Sequence, residues 1–130
     1  MLFRSNYLIY ALAAQYAKAQ HWNEAIILNQ YGRICDTTIA NIFFIKDGRI
    51  HTPGLSEGCV KGVMRTYLIE QLQKENISVE EGAYSNEDLL QADEIFLTNA
   101  IQGIRWVKSF GGKIYSCNKA AQMFRDFIRY

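Results

Sequence analysis

The sequence predicts an α+β fold, built mostly of antiparallel strands and hairpins covered by helices. Short apolar runs rich in isoleucine and phenylalanine recur along the chain, several are separated by turn dipeptides, and only a few segments show helical spacing. Strand and helix do not alternate regularly, which argues against a repeated βαβ winding.

The elements follow in order. Over residues 6–20, Leu8, Ala11, Leu12, Gln15 and Ala19 recur at helical spacing, with Ser5 or Asn6 available as the N-cap. Residues 24–29 read as a strand closed by the turn Gln30-Tyr31-Gly32-Arg33, and residues 34–38 return as its hairpin partner. After a kink near Ala40, residues 41–45 form an apolar strand. Asp47-Gly48 then turns the chain, because this step tolerates positive φ, and residues 49–52 run back. Pro53 ends that strand, and residues 54–58 are expected to be a flexible connection into a helix spanning 60–75. Residues 77–81 alternate as a half-buried strand. Ser85 and Asp88 have capping-box spacing before a short helix over 89–92, and residues 93–98 form a strand that gives out at Asn99-Ala100. Residues 108–113 hold a glycine turn between two short strands, and residues 118–130 an amphipathic C-terminal helix.

At 130 residues the chain is expected to be a single domain. A formal charge of +1 with interspersed lysines, arginines and acids provides no basic face, so neither a nucleic-acid partner nor a membrane surface is expected. No apolar stretch is long enough to cross a bilayer. Cys35, Cys59 and Cys117 are odd in number and widely spaced, which suits neither a disulfide frame nor a zinc site. With no leader pattern at the start, a cytoplasmic setting is expected.

A few places could carry chemistry. Gly58-Cys59-Val60-Lys61-Gly62-Val63-Met64-Arg65 feeds a helix start, where unpaired backbone N–H groups and the helix dipole form an anion seat. The nucleotide-binding P-loop pattern is incomplete there, and Gly62 read by itself is more simply a turn glycine. Thr98-Asn99-Ala100, with Gly103, is a strand end of the kind that often binds ligands, or simply a polar exit from a core strand. Asp36 stands in an apolar, hydroxyl-rich hairpin, as either a functional acid or a solvated strand carboxylate. His21 and His51 have no acid or cysteine partners nearby in sequence. Trp22 and Trp106 read as core or interface aromatics.

Taken together, Asn6-Tyr7-Leu8 with its alanine-rich helix, the run from Asn23 to Asn29, Asn41-Ile42-Phe43, Asp47-Gly48, Thr52-Pro53, Gly62-Val63-Met64-Arg65 and the run from Ala92 to Ala100 resemble the large C-terminal domain of class IV pyridoxal-phosphate enzymes, the fold type IV group of branched-chain aminotransferases and aminodeoxychorismate lyase. The resemblance covers nearly the whole chain. It implies that the cofactor is pyridoxal 5'-phosphate. Its phosphate would be held by backbone donors of Gly62, Val63 and Met64, with Asn99 and Ala100 closing the other side. Asp36 falls where the family usually has a glutamate facing the pyridine nitrogen, and Tyr7 where a hydroxyl bonds the ring oxygen.

The resemblance also marks a departure. The family's Schiff-base lysine lies three residues before the asparagine of the Asn-Tyr-Leu motif in lyase-like members, which is Phe3 here, and four before it in branched-chain members, which is Leu2. Neither side chain can bond the cofactor or move the substrate's α-proton. The expectation is therefore a cofactor-binding domain that lacks both the N-terminal domain and the lysine, a truncated part of a longer enzyme that is inactive by itself. Asn99-Ala100 and Gly62-Val63-Met64-Arg65 look more lyase-like than transaminase-like. The implied substrate is a small amino acid, or an aminodeoxychorismate-like molecule on the folate route, and the implied assembly a homodimer. The alternative is a non-catalytic ligand-binding or dimerisation module that has kept the fold.

Overall fold

The computed structural model describes residues 7–20, 24–119 and 121–122, with side chains from Tyr10 onward. Phe3, the Ser5 and Asn6 caps, His21, Trp22 and residues 123–130 of the expected C-terminal helix lie outside the described residues. So does the Tyr7 side chain.

Helix α1 (Tyr7–Ala19) precedes a short hairpin of β1 (Ile26–Leu28) and β2 (Ile34–Thr37). Then come β3 (Asn41–Lys46), β4 (Arg49–Pro53), α2 (Val63–Lys74), β5 (Val79–Gly82), α3 (Asn86–Leu90) and β6 (Glu94–Asn99). The last elements are β7 (Gly103–Trp106) and the small hairpin of β8 (Ser109–Phe110) and β9 (Lys113–Ile114). A five-stranded sheet in the order β5-β4-β3-β6-β7 forms the centre. All its pairings are antiparallel except β4 with β5, the two strands that α2 joins. The α+β expectation holds.

The β3–β4 turn forms as its sequence requires. Asp47 and Gly48 both take positive φ, 52° and 77°, the twist that lets adjacent strands meet without splaying. β3 is central and buried along nearly all its length, so it reads as a continuous apolar run rather than an alternating one.

On one face of the sheet, Phe43 and Phe96 stack with centroids 5.0 Å apart, and α2 lays Leu68, Ile69 and Leu72 over them. That helical spacing gives α2 its single buried stripe, and each fully buried aliphatic side chain contributes roughly 1.5–3 kcal/mol. On the opposite face Ile42, Phe44, Ile95 and Leu97 pack with Ile34 of β2, Leu89 of α3 and Tyr115. The Glu94 carboxylate accepts the Lys119 backbone N–H at 3.0 Å, which ties the start of the C-terminal helical segment to β6.

Several boundaries depart from the sequence expectation. The connection after Pro53 is ordered: Leu55–Glu57 form a 3-10 turn, and the buried Glu57 carboxylate accepts from Arg33 Nε at 2.6 Å and Asn29 Nδ2 at 3.1 Å. The helix expected from residue 60 starts at Val63, because Gly62 holds an extended backbone conformation at its N-cap. Helix α3 begins directly after Ser85, whose backbone N–H is accepted by Asp88 at 2.8 Å, so it runs earlier than the expected 89–92. Strand β7 was not expected; its residues run from buried to exposed with no alternation to betray it. Leu12, placed on the predicted apolar face of the first helix, is 52% exposed, whereas Ala17 is buried.

Because Phe96 is completely buried and stacked, Phe96→Ala is expected to cost about 3–5 kcal/mol. This would read out as a lowered urea midpoint with an unchanged slope. A loss under about 1 kcal/mol would show that the ring pair does not hold α2 to the sheet.

Candidate functional site

The sheet face under α2 changes character towards one end. Asn41 opens β3 and Thr98 nearly closes β6, and the two are direct cross-strand partners, two residues beyond the Phe43–Phe96 pair. Residues directly opposite one another across a ladder share a face. The polar pair therefore emerges from the same face as the phenylalanines, where the N-terminus of α2 meets the sheet.

Gly62, the α2 N-cap, offers no side chain to the first turn, and the first intrahelical bond of the helix runs from Thr66 N–H to Gly62 O at 3.1 Å. The N–H groups of Val63, Met64 and Arg65 thus have no acceptor inside the helix, and the positive end of its dipole lies among them. A side chain at Gly62 is excluded because its Cβ would collide with Asn41 Oδ1. The glycine is more than a turn residue, since it makes room for this amide.

Asp36 on β2 is 2% exposed, so the solvated-carboxylate alternative does not hold. Its Oδ2 accepts from the Val60 N–H at 2.8 Å and the Tyr10 hydroxyl at 3.0 Å, and its Oδ1 accepts from Asn41 Nδ2 at 2.9 Å. Burial pushes the Asp36 carboxyl up to about 7, because desolvation of the charged form outweighs these three hydrogen bonds and the more distant charge of Arg65. Burial and the neighbouring acid raise the Tyr10 hydroxyl, and likewise push the thiols of Cys35 and Cys59 up to about 11. Arg65, 3% exposed, donates to Glu81 Oε1 at 2.7 Å and to Pro53 O at 3.2 Å, fastening the first turn of α2 to β4 and β5.

Tyr10, Asp36, Asn41, Cys59, Val60 and Gly62 help to surround a cavity of about 560 Å³. Of the residues singled out from sequence, Asp36, the loop residues Gly58, Cys59, Val60, Gly62 and Val63, and the strand end Thr98, Asn99 and Ala100 line it. Met64 does not, and its side chain packs against the core under α2. Sequence reasoning missed Tyr10 and did not connect Asn41 or Val60 with the Asp36 carboxyl, which these three residues hold. Asn41 stood in a recognised motif, and Tyr10 lies one helical turn beyond Tyr7. The Asn99 side chain serves its own loop, accepting from Ile101 N–H at 3.0 Å and Gln102 N–H at 2.6 Å. His51 is structural: its ring stacks on Phe44 at 4.8 Å, and its Nδ1 lies 3.1 Å from the Tyr84 hydroxyl. A larger hollow of about 1120 Å³ is walled chiefly by apolar residues such as Ile26, Ile42 and Leu97, and none of the predicted site residues lines it. Among the described residues there is no cluster suited to a metal ion and no helix long and apolar enough to cross a membrane.

Comparison with known proteins shows the family. The family model described as amino-transferase class IV matches residues 4–110, and the chain belongs to that family. It is 41% identical over 81 residues to the aminodeoxychorismate lyase of Vibrio harveyi, an overlap of 62% of this chain and 30% of that protein. A Legionella pneumophila protein assigned as a 4-amino-4-deoxychorismate lyase superposes with a TM-score of 0.86 at 32% identity, covering 92% of this chain and 46% of the other. The branched-chain amino acid aminotransferase of Thermobaculum terrenum, solved in its PLP form, superposes with a TM-score of 0.76 at 25% identity over 84% of this chain and 37% of that one. The chain thus spans less than half the length of each of these relatives.

The raised Asp36 carboxyl has a consequence for stability. The native group keeps its proton up to about pH 7 while the unfolded chain loses it near 3.8, so its contribution is full below 3.8 and is lost as pH rises through 7. Compared with Asp36→Asn, the wild-type unfolding free energy should therefore decline between pH 4 and pH 7. A pH-independent difference between the two proteins would place the carboxyl at its ordinary value.

Proposed function

We propose that this chain is the cofactor-binding half of a pyridoxal 5'-phosphate enzyme of the aminodeoxychorismate lyase or amino-acid aminotransferase kind, and that it holds the phosphate ester without a covalent bond. One observation carries the reading: an uncapped helix N-terminus and a buried carboxyl share a single cavity. When bound, the cofactor supplies a ring that draws electrons from the α-carbon of an amino acid.

The chain's own groups fit such a ligand. The N–H groups of Val63 and Met64 provide donors to a phosphate at the positive end of α2, and Gly62 keeps the approach open. Asn99 and Ala100 wall the cavity beside them. Asp36 favours a cation: a protonated ring nitrogen facing it offsets the desolvation that otherwise keeps the carboxyl protonated. Oδ1, which accepts from Asn41 in the buried network, has a further lone pair for such a donor. Tyr7 is assigned the ring oxygen by resemblance alone.

Phe3 stands where lyase-like members carry the lysine, so no amine at that place attaches the cofactor or carries the α-proton. The chain by itself is read as inactive, with a small amino acid or aminodeoxychorismate-like molecule as the substrate of the complete enzyme. Asn99-Ala100 and the run Gly62-Val63-Met64-Arg65 are the features that favour the lyase over the transaminase. A cytoplasmic homodimer goes with this reading. A non-catalytic binding or dimerisation module is the second reading, favoured by Phe3 and by the exposed Leu12 on α1.

Calorimetric titration with pyridoxal 5'-phosphate and with pyridoxine 5'-phosphate, which has no aldehyde, tests the proposal. Both should bind, with affinities within roughly threefold of each other, and borohydride should trap no adduct that excess pyridoxine 5'-phosphate prevents. Absence of binding by either, or a trapped covalent adduct with much tighter binding of the aldehyde, would refute it.

A further inference from the structure

Thr98 is 1% exposed, lines the cavity, and its Oγ has no hydrogen-bond partner. A buried hydroxyl left unpaired costs free energy, and among the described residues only one other buried side-chain atom, Arg65 Nε, is in the same condition. Arg65 does not line the cavity. The orphan at Thr98 is therefore the one that faces the ligand space.

Its neighbours are already committed. Asn41, directly across the ladder, donates to Asp36 Oδ1 at 2.9 Å and to Val60 O at 2.7 Å. Asn99 is occupied by Ile101 and Gln102, and Ala100 has no side-chain donor. Of the three residues at the exit of β6, Thr98 alone has a free side-chain hydroxyl. The opposite wall supplies the uncapped first turn of α2. An oxygen-rich anion seated there would meet backbone N–H groups on one side and this hydroxyl on the other.

We infer that Thr98 is a direct ligand contact whose hydroxyl donates to a phosphoryl oxygen, completing from β6 the anion seat that α2 begins. The inference rests on the phosphate-binding reading above and adds to it a side-chain donor. A partner-free hydroxyl in the ligand-free protein, satisfied only on binding, makes Thr98 a determinant of affinity for the phosphorylated end of the ligand rather than of the fold.

The test uses the chain as it stands, with Thr98→Val, which keeps the branched shape, and Thr98→Ser, which keeps the hydroxyl. Calorimetry with pyridoxine 5'-phosphate, unphosphorylated pyridoxine and inorganic phosphate should show the valine variant losing roughly tenfold to a hundredfold in affinity for the phosphate ester. The serine variant should stay within roughly threefold of wild type, and the melting temperature of the ligand-free valine variant should be unchanged or higher. If the wild type binds the ester and the valine variant binds it equally well, the Thr98 assignment falls while the phosphate reading stands. A valine variant that melts lower without ligand, or a serine variant that loses as much affinity as valine, would likewise overturn the assignment. If the wild type binds no phosphate-bearing probe, both readings fall together.

Discussion

The side-chain amide of Asn41 is the contact on which the arrangement depends. Its nitrogen bridges Asp36 of β2 and the carbonyl of Val60 just before α2, and its oxygen occupies the space a Cβ at residue 62 would need. One short polar side chain at the start of the central strand therefore sets the distance between the buried acid, the loop and the helix N-terminus. Such an amide cannot be exchanged for an apolar residue of similar volume without orphaning both partners, since a buried acceptor left unpaired carries the full cost of its desolvation.

The same sheet face performs two physical tasks in sequence. Under the body of α2 it is aromatic and dry, where the stacked phenylalanines provide area for hydrophobic burial. Two residues further along both strands it becomes polar, and the hydrophobic effect gives way to hydrogen bonding and charge. The helix thus uses its middle to adhere and its first turn to present backbone donors. At Asp36 desolvation resists the negative charge and outweighs the three donors and the distant arginine that favour it, leaving a carboxyl poised near neutral pH. A group so poised responds strongly to whatever cation shares its cavity.

Local features were legible in the sequence, and features that depend on pairing across the chain were less so. The Asp47-Gly48 turn, the apolar run of β3 and the presence of a helix after the glycine loop follow from residues within a few positions of each other. The start of α2 was misplaced because Val60 and Lys61 suit either a helix or an extended lead-in, and only the packing of Gly62 against Asn41 decides between them. The burial of Asp36 could not be read from Cys35 and Thr37, since it depends on Tyr10 from α1 and Val60 from the loop. Met64 was assigned through its backbone N–H alone, and its side chain, which the helical period turns to the core, plays no part in that assignment. Strand β7 has too little pattern to announce itself and exists because β6 offers it an edge.

The pairing of β3 with both β4 and β6 also orders events as the chain collapses. The β3–β4 hairpin closes over a two-residue turn, but Asn41 meets Thr98 only when β6 returns from the far side of α2, β5 and α3. Ladders with so large a loop-closure entropy form slowly compared with neighbouring hairpins. The cavity beside Asp36 would then be among the last parts of the domain to acquire its native shape, and a newly synthesised chain would carry a formed hairpin well before that cavity existed.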